Sequence, residues 1–266
     1  MTGTRPRRGP AVAAAGHTVA LARDAVVAVL RRYHRLDVTI DEPLPAAPAL
    51  IVSNHGFGGI FDLNVFAAFA ALRDPGVGGD LDILVHQVAW TLGGGPVLEE
   101  LGCHPASRAA ADEALCAGRH LLVLPGGDID AFKAFPDRNR ISFDGREGFA
   151  RLAIQHEVPI VPLVTAGAGE SLLVLSDGRR LAQALRLGRM FRLEAAPISL
   201  SVPWGLNVGA VGLLPYLPLP TKLATAVLPA VRRRSGETSS DLARRVETLM
   251  QAKLDDLTMD RTAFIG

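Results

Sequence analysis

Four short, almost wholly apolar runs, separated by stretches of helical character, constrain this chain more than any other feature. The runs are Ala49 to Ser53, Leu81 to Val85, His120 to Leu124 and Val158 to Val164. Each is brief and lacks the polar alternation of a half-solvated strand, so it reads as a strand buried on both faces. Between them Asp62 to Leu72, Arg108 to Ala117 and Arg146 to His156 read as helices. Strand and helix alternating in this way build βαβ units. The expected fold is therefore α/β: a single domain with a largely parallel central sheet flanked by helices. Working loops in such sheets leave the C-terminal ends of strands, which singles out Asn54 to Phe61 and Pro125 to Arg140.

The flanks read differently. Residues 1–35 form a basic N-terminal helical appendage: an Ala/Val/Leu-rich stretch ends in Arg31, Arg32, Tyr33, His34 and Arg35, cations near a helix's negative end. Seven Arg in residues 1–40 face only Asp24 and Asp37, an excess that suits anionic lipid or a solvated basic tail. The main domain is expected over 36–231 and a C-terminal helical segment over 232–266, with the helix at Ser240 to Leu257. Between Arg179 and Leu193 five Arg (179, 180, 186, 189, 192) alternate with apolar residues and no acid, as in a basic amphipathic helix or a solvated surface helix. Residues 197–220 are apolar but broken by Pro and Gly, so no long helix crosses them. Val202 to Leu219, with Trp204 and Tyr216, reads as a one-sided membrane surface or as a loop wrapping the core. Lys222 to Leu228 reads as a closing strand.

Composition removes several function classes. Hydrophobic residues at 48% and charged residues at 21% indicate a folded chain, and a net charge of +1 argues against a nucleic-acid-binding surface. Two cysteines, Cys103 and Cys116, make neither a disulfide framework nor a zinc site and point to a reducing compartment. With no clear signal-peptide core and no uninterrupted apolar run of spanning length, the expectation is a cytoplasmic protein held peripherally at the inner face of a membrane. His156-Glu157 begins like a zinc-protease helix, but the second His is missing and Pro159 intervenes, so no metal is expected. G-x-S-x-G, Walker A and G-x-G-x-x-G patterns are absent.

The informative stretch is Ile51-Val52-Ser53-Asn54-His55-Gly56-Phe57-Gly58-Gly59-Ile60-Phe61-Asp62. A strand delivers His55 to its C-terminal end, a glycine-rich turn follows, and Asp62 opens the next helix. An Asp bonded to one imidazole nitrogen fixes the tautomer and leaves the other nitrogen as a base. A helix-capping Asp beside a structural His accounts for the same residues.

Four ordered blocks give these residues a context: Asn54-His55 with the following Asp; Leu101-Gly102-Cys103-His104-Pro105-Ala106-Ser107-Arg108; Leu124-Pro125-Gly126-Gly127-Asp128; and Val158-Pro159-Ile160-Val161-Pro162. Together they resemble the glycerolipid acyltransferase family that includes lysophosphatidic acid acyltransferases, over roughly residues 36–231. The resemblance implies transfer of a fatty acyl group from a coenzyme A or carrier-protein thioester to a lipid hydroxyl, with His55 as general base, Asp62 as its orienting partner, and no cofactor or metal. Two departures stand out. Six residues separate His55 from Asp62 where the family usually has four, and Gly56, Gly58 and Gly59 make the required bulge cheap. In the third block Gly126-Gly127-Asp128-Ile129 replaces Glu-Gly-Thr-Arg, the form that looks more like the monoacylglycerol and diacylglycerol acyltransferase branch. That change puts a phosphate-bearing acceptor in doubt and suggests room above the glycines for a bulkier or neutral head group.

Arg108 occupies the second block's basic position, and Lys133, Arg138 and Arg140 follow the Pro-Gly-Gly loop; each reads as a phosphate contact or as a solvated cation. With Gly126, Gly127 and Asp128 they make up the expected substrate-binding set. Backbone amides at Gly58-Gly59 or Gly126-Gly127 are candidate oxyanion donors. Glu170 resembles a Glu after the fourth block but equally caps a helix, while His17, His34, His86, His104 and His120 read as structural. Burying a chain of about fourteen methylenes is worth roughly 11 kcal/mol, so an apolar groove is expected. The expected partners are an acyl-thioester donor, a lipid acceptor and a membrane surface, without nucleic acid. Hydrolysis of the thioester, or lipid binding without chemistry, are the rival activities.

Overall fold

The computed structural model describes residues 24–46, 48–57, 62–72, 81–85, 90, 95–100, 102–185, 195–209 and 216–266. A helix over residues 24–33 (α1) leads into β1 (Asp37–Ile40), β2 (Leu50–Ser53), α2 (Leu63–Leu72), β3 (Leu81–Val85), α3 (Gly95–Glu100), β4 (Cys103–Pro105), α4 (Arg108–Cys116) and β5 (His120–Val123). There follow α5 (Gly127–Ala131), α6 (Gly148–Gln155), β6 (Ile160–Ala166), β7 (Leu173–Ser176), α7 (Arg179–Ala184), β8 (Ile198–Ser201), β9 (Gly205–Val208), β10 (Ala224–Val227) and α8 (Ser239–Thr258).

Seven strands form one sheet in the order β1-β10-β6-β2-β5-β3-β4. The five from β6 to β4 are mutually parallel, β10 runs antiparallel to β6, and β1 runs parallel to β10. The α/β expectation of a largely parallel sheet flanked by helices therefore holds. β10 is not a closing edge strand. It lies between β1 and β6, and its ladder is paired on both sides.

Alternation along β2 sorts the two layers, because successive side chains point to opposite faces. Leu50 and Val52 join a core with Leu121, Phe143, Phe149 and, from α8, Leu242, Val246, Met250 and Leu254. Ile51 faces the other way, onto Ile83, Leu122, Leu163 and, from α2, Ala68, Phe69 and Leu72. α1 is sealed against α2 and β10's approach through Leu30, Leu36, Leu63, Ala67, Ala70 and Leu223. Thr238 caps α8, its hydroxyl oxygen accepting from Asp241 N.

The Pro/Gly-broken apolar stretch contributes to a second, three-stranded antiparallel sheet, β7-β8-β9, which the sequence did not predict. Its strands are four residues each, and β8 and β9 mix polar with apolar residues between Pro197, Pro203 and Gly209, unlike the apolar runs of the main sheet. Of the five-Arg run, Arg179 and Arg180 begin α7, while Arg186, Arg189 and Arg192 lie outside the described residues, as do His17 and His86. Tyr216 corrects an expectation: it is only 3% exposed, packed with Phe57, Leu172 and Val174, so it belongs to the core and not to an interfacial belt. Among the described residues no helix is long and apolar enough to cross a membrane.

Candidate active site

His55 stands two residues beyond β2, where the chain has left the ladder and its backbone needs other partners. Asn54 supplies the first set. Its side-chain amide donates to Thr165 O (3.1 Å) and its Oδ1 accepts from Thr165 N (2.9 Å), so one amide side chain extends the pairing with β6. Asn64 Nδ2 donates to Asn54 O at 2.7 Å. Gly56 admits this packing, since a Cβ there would lie 2.4 Å from Ala168 Cβ and 2.6 Å from Asn64 Oδ1.

His55 Nδ1 lies 2.9 Å from Asp62 Oδ2, and both side chains are about 15% exposed (15% and 14%). The carboxylate accepts a hydrogen bond from Nδ1–H and so assigns the tautomer in which Nε2 carries the lone pair. Asp62 Oδ1 accepts from Asn64 N at 3.0 Å, the bond of a helix N-cap. The capping bond and the contact with the imidazole, alternatives in the sequence, are thus both made, one by each carboxylate oxygen. The seven-residue step from His55 to Asp62 does not keep the pair apart. Tyr216 closes the apolar side: burial first, and the charge of Asp62 second, push its phenol far above the ordinary range, while Ser171 opposes the shift. It stays neutral there.

A feature that sequence reading missed lies beneath the loop. Asp130, fully buried, accepts from His55 N (2.8 Å), Ser142 N (3.1 Å) and Lys133 Nζ (2.7 Å). Lys133 Nζ also donates to His55 O (3.0 Å) and Arg140 O (2.7 Å). An ammonium has three donors, and all three are used within the chain. Lys133, expected at a substrate phosphate, is therefore committed to the protein interior.

The other expected substrate residues scatter. Arg108 begins α4 but bonds Gln155 on α6 and lies 3.6 Å from Asp112, on the outer surface of the two helices; it is not brought to the dyad. Arg138 stacks on Phe135, 4.2 Å from the ring centroid, donates to Phe135 O and lies 3.9 Å from Glu170. Arg140 has an exposed side chain at the cleft lined by Glu247, Thr248, Gln251 and Asp255. Gly126, Gly127 and Asp128 do flank the site, yet the space above the glycines is taken. A Cβ on Gly126 would lie 2.2 Å from Asp130 Cβ, and one on Gly127 2.2 Å from Arg146 Nη1. Arg146 donates to Gly126 O (2.7 Å) and lies 3.5 Å from Asp128 Oδ1. These glycines accommodate internal polar side chains, not a bulky head group. Gly127 N donates to Leu124 O (3.4 Å), and Gly58 and Gly59 fall outside the described residues.

Glu170 is engaged within the chain. It is 1% exposed and accepts from Arg261 Nε and Nη2 (2.8 Å each), Phe264 N (2.7 Å) and Thr221 Oγ1 (2.7 Å). The remaining histidines in the described residues sit in structural contacts. His34 Nδ1 lies 3.2 Å from Thr221 O, His120 Nδ1 accepts from Ala49 N at 3.1 Å, and His104 Nε2 is 3.5 Å from Asp82. Burial, with the Asp82 charge, pushes the Cys103 thiol up to about 11, which leaves it inert. Among the described residues no three His, Cys, Asp or Glu side chains converge as a metal site.

Comparison with other proteins places this geometry in context. A Mycobacterium tuberculosis (strain H37Rv) protein described as uncharacterized is 30% identical over 209 residues, 76% of this chain and 54% of that one. The mouse "DGAT1/2-independent enzyme synthesizing storage lipids" is 28% identical over 239 residues, 90% of this chain and 64% of its own. Human diacylglycerol O-acyltransferase 2 is 28% identical over 138 residues, 46% of this chain and 34% of that enzyme. The chain spans about half the length of the curated relatives it matches. The crystal structure of the 1-acyl-sn-glycerophosphate acyltransferase PlsC from Thermotoga maritima superposes with a TM-score of 0.51 at 14% identity, covering 92% of this chain and 83% of that one, so the fold is shared. Residues 12–229 match the diacylglycerol acyltransferase family, and the chain belongs to that family.

Proposed function

We propose that this protein transfers a fatty acyl group from an acyl thioester, carried on coenzyme A or an acyl carrier protein, to a hydroxyl of a neutral lipid acceptor. The single observation that carries this reading is the His55–Asp62 contact of 2.9 Å at the C-terminal edge of a parallel sheet. His55 Nε2 takes the acceptor's hydroxyl proton as the oxygen attacks the thioester carbonyl. The tetrahedral intermediate then collapses, expelling the carrier thiolate, which takes the proton back from the imidazolium. Asp62 holds the tautomer and stabilises the imidazolium while it exists. A positioned base is worth ~10²–10⁴ in rate. No cofactor enters these steps. A neutral acceptor is favoured because Lys133 has spent its donors and Arg108 points elsewhere, which leaves the altered third block without its usual phosphate clamp.

A lipid surface is the proposed partner. In β8 and β9 the small polar residues Ser199 and Ser201 are buried, while the cross-strand pair Leu200 and Leu206 and the neighbouring Val208 point outward. Apolar side chains facing out and polar ones facing in invert the usual soluble pattern. With Leu175, Val202, Trp204 and Leu217 these side chains are each 47% to 66% exposed. The β7–β8 connection carries the five Arg of the acid-free run, which suits anionic head groups. The sheet's inner side packs through Leu172 and Val174 on Phe57, two residues from His55. A phospholipid bilayer on the outer side thus lies back to back with the catalytic loop.

The decisive assay offers labelled acyl-CoA with monoacylglycerol, lysophosphatidic acid or a glycolipid alcohol and identifies products by mass spectrometry. Transfer to the neutral acceptor, lost in His55→Ala with the fold retained, is expected. Strong preference for lysophosphatidic acid would overturn the acceptor assignment, fatty acid release without transfer would indicate a hydrolase, and an unconsumed thioester a lipid binder. Leu206→Asp should weaken sedimentation with anionic vesicles; unchanged sedimentation would remove this face from the lipid contact.

A further inference from the structure

The Asp130–Lys133 ion pair touches His55 only through its main chain, and the geometry points to a positioning role that the dyad itself does not describe. His55 N belongs to the peptide unit before its Cα and His55 O to the unit after it. Asp130 Oδ2 holds the first at 2.8 Å and Lys133 Nζ the second at 3.0 Å. With both flanking peptide planes pinned, the direction of the His55 Cα–Cβ bond is set, and only the two side-chain torsions remain. Asp62 fixes those through Nδ1. Three contacts from three separate points therefore determine where Nε2 sits.

We propose that Asp130 and Lys133 act as a paired main-chain clamp that positions His55, replacing the ladder partners the loop loses on leaving the sheet. One carboxylate and one ammonium offer an acceptor and a donor, the two groups a neighbouring strand would present. The clamp is anchored independently of His55: Asp130 Oδ1 accepts from Ser142 N and Lys133 Nζ donates to Arg140 O, both on the segment after the Pro-Gly-Gly loop. Side-chain exposures of 0% for Asp130 and 7% for Lys133 keep solvent from competing for these bonds. Gly126 completes the device, since any larger residue would occupy the space that the Asp130 Cβ and the Ser142 carbonyl fill. The altered third block thus has a purpose here: its first glycine admits the carboxylate that holds the catalytic loop.

The catalytic arm of the test rests on the acyl-transfer reading; a second arm does not. Lys133→Met keeps the apolar stem and removes all three donors. Amide hydrogen exchange at residues 54–57 should then accelerate at least tenfold while the β2 amides 50–52 stay protected. In the transfer assay kcat should fall about tenfold to a hundredfold, the cost of an ångström-scale misplacement, with KM within twofold. Should Lys133→Met fail to fold, Asp130→Asn combined with Lys133→Gln removes both charges yet keeps a donor and an acceptor, and it should retain more activity than Asp130→Ala. Unchanged exchange at residues 54–57, or an unchanged kcat, would overturn the clamp. If the wild-type protein transfers no acyl group, the functional reading falls while the exchange measurement still decides the clamp.

Discussion

Removing Arg261 tests how the C-terminal segment secures the wall behind the His55 loop. Glu170, 1% exposed, accepts two bonds from Arg261, one from Phe264 N and one from Thr221. The loop it anchors carries Ala168, which packs directly against Gly56 beside His55. Arg261→Met leaves a buried carboxylate without its principal counter-charge, a change typically costing about 3–5 kcal/mol. The remaining Phe264 and Thr221 donors, with Arg138 3.9 Å away, place the expectation near the lower end, about 3 kcal/mol. For a chain of this size that is a fall in Tm of roughly 6–12 °C, read by differential scanning calorimetry. Glu170→Gln/Arg261→Met should lose less than the sum of the two single variants, because it strands neither charge. The pH dependence has a definite sign. Burial pushes the Glu170 carboxyl up, but the Arg261 bonds, Phe264 N, Thr221 and the Arg261 charge together hold it below its usual range. A depressed native pKa stabilises above the ordinary carboxylate range, and that stability is lost as pH falls through the lowered value. Glu170→Gln should accordingly show a shallower acid limb than wild type. A Tm change below about 2 °C in Arg261→Met, or full additivity in the double variant, would refute the reasoning.

Asp62→Asn keeps an oxygen for Asn64 N but loses the charge opposite the imidazolium, so turnover should drop by less than in His55→Ala at nearly unchanged Tm; a large loss of stability would mean that the cap dominates. Gly126→Ala forces a Cβ to within 2.2 Å of Asp130 Cβ, and urea unfolding should show a loss of about 1–3 kcal/mol together with lower activity. Thr238→Ala removes the N-cap of α8, far from the dyad in sequence, and should cost about 1 kcal/mol while leaving kcat and KM alone.

What the sequence alone determined was local or compositional. Runs such as Leu50–Ser53 and Ile160–Ala166 are buried at every position, and a fully apolar strand can sit only inside a covered sheet; the alternation with helices then dictated parallel order. His55 and Asp62 were legible as a pair because they stand only seven positions apart in sequence, with glycines between them that make a turn cheap. Tertiary structure decided the rest. Lys133 reads as one more cation after the Pro-Gly-Gly loop until the fold sets it against the carbonyl of His55, 78 residues away, and Glu170 finds Arg261 across 91 residues. No local pattern encodes such partners, since a charge in sequence records its sign but not what stands opposite it. The small sheet shows the same limit: alternation sets Leu200 opposite Ser199 and Ser201 within β8 and Leu206 and Val208 opposite Asn207 within β9, while the register between the strands brings Leu200 and Leu206 to one face. Period two separates the faces of a strand, but only packing against Phe57 and Tyr216 chose which of them turns outward.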